Sequence, residues 1–175
     1  MKKSTVHIHE AGHAAAALFF NTRFKSVDII PSDEKIKGAL GAVRECETLT
    51  ASEIQTKGLH PMMEIKLKRD CIISMSGLVS EAKFNNKRYA MRLHHILGNG
   101  KHDLSEMFKL LNVAICNDGH VVDAYAKYIA AETVFLFDSN PLLWQSVLNI
   151  SAALLDKKEL TYKQCKAIYS KVMES

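Results

Sequence analysis

The chain has 175 residues, of which 47% are hydrophobic and 24% charged, and its formal net charge is +4. Such a length suits one domain with a sizeable core, the composition is that of an ordinary globular protein, and the slight basicity permits an acidic partner without demanding one. The longest early apolar run, residues 14–20, falls far short of the roughly 20 residues that cross a bilayer, so no membrane span is expected.

Ser4 or Thr5 is placed to cap a helix that runs to about residue 20, where Asn21 ends it. The run FKSVDIIP, closed by Pro31, is β-branched and reads as a strand. GALGAVRE reads as a second strand paired with it, with Gly38 and Gly41 allowing a backbone to approach closely. Residues 45–60 read as irregular or weakly helical. From Pro61 to about residue 84, Met62, Ile65, Ile72, Met75, Val79 and Ala82 keep helical spacing, and proline suits the first turn. Residues 85–102 are basic and end in a loop containing GNG.

Further helices follow. Leu104, Met107, Phe108, Leu111, Ala114 and Ile115 form one apolar stripe. Asp118-Gly119 precedes a second helix ending near Phe137, and Asn140-Pro141 opens a third that carries Trp144 into the core. Thr161 caps a last short helix. Cys46, Cys71, Cys116 and Cys165 form no CxxC pair and sit in apolar or amphipathic stretches, so they read as reduced buried thiols in a cytoplasmic setting.

Residues 9–13 read HEAGH. Positions four apart lie above one another on one helix face, so His9 and His13 can grip one zinc ion through their imidazole nitrogens. Glu10 lies one step round the helix. It can take a proton from a water activated by zinc as that water attacks a peptide carbonyl. Gly12 costs a helix about 1 kcal/mol against alanine, which close packing beside a site would explain. Catalytic zinc usually takes three protein ligands. A glycine and a third histidine three and six residues beyond the second are excluded, because Ala16 and Phe19 stand there. The remaining candidates for the third ligand are Glu64, Glu81, His94, His95, His102 and Asp103. The basic stretch around Lys87, Arg88, Arg92 and Lys101 reads as a solvated loop, and without interleaved aromatics no nucleic acid is expected.

The order of motifs resembles the peptidase domain of the FtsH-type AAA zinc proteases. HEAGHAAAALFF resembles that family's first catalytic helix, and VDIIPSDEKIKGALGAV the strand, turn and strand after it. CIISMSGLVSEAKF resembles the helix with the family's "GGRAAEE" pattern, keeping Gly77 and Glu81. GNGKHDLSEMFKL resembles the segment whose "NDL" supplies the third zinc ligand, and ISAALLDKKELTYKQCKAI the closing helix pair. The resemblance implies Asp103 as the third ligand. Glu81 reads by default as a solvated helical residue, with orienting a zinc histidine as its candidate role. The family's "GGR" is Ser76-Gly77-Leu78 here, the tyrosine after its "LG" is Ala42, and no GxxxxGK[ST] phosphate loop occurs in the chain.

The expectation is therefore one domain over residues 1–175, mainly α-helical α+β, of zincin type, with a small sheet near the start. It would be an ATP-independent zinc endopeptidase acting on unfolded or flexible polypeptide, which Leu40, Gly41, Ala42 and Val43 would bind by strand addition. A separate ATPase or a full-length AAA protease is a possible partner, and a homo-oligomer is possible. The rival readings are a metalloprotease of another class that cleaves one regulatory protein, and a non-catalytic zinc-containing module that modulates an AAA protease.

Overall fold

The structure is a computed structural model, described here for residues 5–30, 41–87, 104–115 and 118–175. The described residues are mainly helical, with one small antiparallel sheet. Helix α1 spans Val6–Phe19, and the run Ala14 to Ala17 within it is fully buried. Alanine favours the helix and lets neighbours come close on several sides at once. The helix ends at Asn21, whose φ of 53° is the left-handed conformation that asparagine tolerates.

Strands β1 (Ser26–Asp28) and β2 (Ala42–Arg44) pair antiparallel, with Val27 opposite Val43. The buried carboxylate of Asp28 accepts two hydrogen bonds from the Arg44 guanidinium, one of them at 3.2 Å from Nη2 to Oδ1. This fork ties the strands together where β1 is wholly buried. The expected two-strand sheet is in fact three-stranded. Near the other end of the chain β3 (Glu159–Thr161) pairs with β1, giving the order β2-β1-β3.

Residues 45–60 hold a short helix, α2 (Ala51–Lys57), opened by a Thr50–Glu53 capping box. Helix α3 spans Pro61–Phe84, with proline in its first turn as expected. Buried Asp70 on α3 accepts from the backbone N–H of Leu49 at 2.7 Å and from Arg69 at 2.7 Å, pinning the chain before α2 to this helix. Burial raises the Asp70 carboxyl above its ordinary range, against the opposing pull of those bonds.

Helices α4 (Ser105–Ala114), α5 (Gly119–Ser139), α6 (Pro141–Lys157) and α7 (Tyr162–Met173) complete the described elements. Asp118, Asn140 and Thr161 cap α5, α6 and α7 through their side chains. Trp144 is half-buried, packed against the core with the Lys83 ammonium 5.1 Å from its ring centre.

The α1–α3 crossing positions the site. A Cβ on Gly12 would stand 2.4 Å from Ser80 Oγ and 2.6 Å from the Ser76 carbonyl oxygen, so the two helices nearly touch through small residues. Their approach accounts for a glycine in the middle of a helix. Among the described residues no helix is long and apolar enough to cross a membrane. Cys71 and Cys165 are buried, Cys46 is half-buried, and all three are free thiols. Pro31, Gly38, Leu40, the basic stretch from Arg88 through Asp103, and Cys116 lie outside the described residues.

Candidate metal centre

His9 and His13 are one turn apart on α1, and their Nε2 atoms meet at 3.1 Å. Two nitrogens that share an ion at about 2.0–2.1 Å can be at most about 4 Å apart, so this separation lies within a common bite. The partners on the far side of each ring decide where the protons are. His13 Nδ1 lies 2.7 Å from the Ile73 carbonyl oxygen, which only accepts, so Nδ1 donates there and the neutral ring has a bare Nε2. His9 Nδ1 faces Glu81 Oε2 at 3.6 Å, which favours the proton on that nitrogen too. With the protons so placed, both Nε2 lone pairs would be available to one shared cation.

Glu81 is itself oriented. Thr5 Oγ1 donates to Glu81 Oε1 at 2.5 Å, a length typical of a hydroxyl on a carboxylate. Thr5 is the residue before α1, yet its side chain makes no cap bond to the helix. Glu81 thus lies on the Nδ1 side of His9.

Gly77 on α3 closes one side of the pair. A Cβ there would lie 2.4 Å from His13 Nε2 and 2.7 Å from His9 Nε2. Only glycine leaves the space beside both nitrogens open. Two imidazoles line this cradle, and paired imidazole nitrogens are a donor set that a borderline-soft ion such as zinc takes.

Glu10 is buried at the same level of α1. Gly41, the residue before β2, passes over it so closely that a Cβ would lie 2.7 Å from Glu10 Cγ and 3.0 Å from Oε1. The charge of Arg44 on β2 also acts on this carboxylate. Gly41 therefore runs beside Glu10, and because β1 occupies the centre of the sheet, β2 is an edge strand among the described residues.

The third ligand is less complete. Among the described residues no group of three His, Cys, Asp or Glu is arranged to hold a metal ion. Asp103, His94, His95 and His102 lie outside the described residues. Glu64 is not a ligand: it is exposed in the first turn of α3, roughly 20 Å along the helix from Gly77. Sequence reasoning missed the roles of Thr5 and of the Ile73 carbonyl. Thr5 carried the signal of a cap only, and a backbone oxygen has no side-chain signature at all. No protein-family model and no curated protein matches the chain.

Proposed function

We propose that the chain is a zinc-dependent endopeptidase acting on unfolded or flexible polypeptide. The observation that carries this reading is the pair of Nε2 atoms 3.1 Å apart, both directed by partners on their Nδ1 sides. His9 and His13 would hold the ion, and the resemblance to FtsH-type peptidase domains supports Asp103 as the third ligand. Zinc, when bound, would lower the pKa of a water and polarise the scissile carbonyl. Glu10 would receive the proton of the attacking water on its carboxylate and return it to the leaving amine. Burial beneath Gly41 fixes that carboxylate in place.

The edge at Gly41, Ala42 and Val43 would take an extended peptide through its main-chain groups, with Gly41 alongside Glu10. Main-chain pairing gives affinity with little demand on substrate sequence. Pulling apart a stable domain opposes about 5–15 kcal/mol, and this chain has no phosphate-binding loop to supply that work. By itself it would therefore cut disordered segments and spare tightly folded ones, with or without ATP.

Metal analysis together with cleavage of unfolded casein tests the proposal. About one zinc per chain and measurable cleavage are expected, with both lost in His9→Ala and in His13→Ala. Wild-type protein that takes up no zinc, or cleavage that survives either substitution, would overturn it.

A further inference from the structure

His7 heads one stripe of α1, followed at helical spacing by Ala11, Ala14 and Leu18, and those three are buried. Two residues before His9 and six before His13, it stands about 200° and 240° round the helix from them, on the far side from the paired Nε2 atoms. Helix α1 packs against α3 and also against α6. A face of alanines gives a neighbour little to interlock with, because single methyl groups raise only shallow ridges. A directional polar contact can fix the rotation of such a helix where packing does not.

Ser151 on α6 makes that contact. The residue is 3% exposed, and its Oγ lies 2.6 Å from His7 Nδ1. Buried hydroxyls elsewhere turn back to their own helix: Ser76 to the Ile72 carbonyl, Thr133 to Ile129 and Ser146 to Leu142. Among the described residues the Ser151 hydroxyl has no acceptor but His7, so the hydroxyl donates and Nδ1 accepts. The neutral His7 ring therefore keeps its proton on Nε2, opposite to the arrangement in His13. The same ring stands edge-on to Phe84 at the end of α3, with centroids 6.3 Å apart.

We propose that His7 is a positioning residue for the metal site, its bond to Ser151 setting the rotation of α1 and so the direction in which His9 and His13 present their Nε2 atoms. A turn of α1 that breaks this bond swings the two imidazoles, on the other side of the helix, away from the space beside Gly77. His7 is not itself a ligand. The inference rests on the reading of His9 and His13 as zinc ligands.

Zinc affinity, measured by competition with a chromophoric chelator, tests it together with the visible spectrum of the cobalt(II) form and the thermal midpoint of the metal-free protein. Ser151→Ala and His7→Leu should each weaken zinc about three- to tenfold, less than the 10- to 100-fold typical of a partner bonded to the ligand itself, and should alter the cobalt spectrum. The double variant should be no weaker than either single one, since both break the same bond. His7→Asn, whose amide oxygen can accept where Nδ1 did, should bind zinc as the wild type does. Should Ser151→Ala fail to fold, Ser151→Cys, a weak donor of similar size, takes its place. A lower midpoint with unaltered zinc affinity and cobalt spectrum would overturn the proposal, as would additive losses or a His7→Asn no better than His7→Leu. Wild-type protein that takes up no zinc would overturn the metal reading as a whole, whereas zinc bound equally by the wild type and the variants would overturn this inference alone.

Discussion

Gly77 and His13 approach so closely that a Cβ on the glycine would stand 2.4 Å from the imidazole Nε2. The contact joins α3 to α1, whose crossing is set by Gly12 against Ser76 and Ser80, so neither backbone has room to yield. Gly77→Ala should therefore turn both imidazoles out of register. Zinc affinity, measured by competition with a chromophoric chelator, should fall at least about tenfold while the helical circular dichroism is kept. Unchanged affinity would mean that the two nitrogens do not share an ion.

Thr5, Glu81 and His9 form a chain of polar contacts reaching from the start of α1 to the candidate metal ligand. Thr5→Val keeps the shape of the side chain and removes its donor, and no cap bond is lost because none exists. The variant should bind zinc about 10- to 100-fold more weakly, as should Glu81→Gln, and Thr5→Ser should restore affinity. The thermal midpoint of metal-free Thr5→Val should move little. A lower midpoint with unaltered affinity would assign Thr5 a purely structural role.

Burial pushes the Cys71 and Cys165 thiols up to about 12 and Cys46 to about 11. Free thiols titrate near 8.5, so the folded state holds these protons more tightly than the unfolded chain does. The stabilisation is complete below about pH 8.5, declines as pH rises toward the folded values, and is absent above them. Each thiol contributes a slope of up to about 1.4 kcal/mol per pH unit in that window. Urea midpoints under reducing conditions should accordingly fall between pH 8.5 and 11, and half-buried Tyr125 and Tyr169, also raised by desolvation, act in the same sense. At pH 8, site-resolved alkylation should label Cys46 before Cys71 and Cys165. Native Cys71 labelled as fast as the denatured chain would contradict the burial argument.

Much of the helical framework was legible because it is written in local chemistry. Pro61 marks the first turn of α3, Thr161 with Gln164 marks α7, and Asp118 and Asn140 mark the starts of α5 and α6. The two histidines were legible for the same reason, since a four-residue spacing fixes a shared helix face. Strand β3 was not, because three residues carry no periodicity and its pairing with β1 bridges about 130 residues of sequence. Helical periodicity alone could not separate Glu64 from Glu81, since both lie on α3. The motif resemblance pointed to Glu81, and that residue is the one that faces His9 across the crossing at Gly12 and Gly77. The relay through Thr5 was hidden because its apparent role as a helix cap was sufficient explanation by itself.

The central claim, that Glu10 acts as the base beside a zinc ion held by His9 and His13, is tested most directly by Glu10→Gln. The substitution keeps the shape beneath Gly41 and removes only the capacity to take a proton. Zinc content and peptide cleavage should be measured on the same preparation. The account predicts undiminished zinc with cleavage lowered at least about 100-fold. A zinc-loaded Glu10→Gln protein that cleaves at the wild-type rate would contradict it.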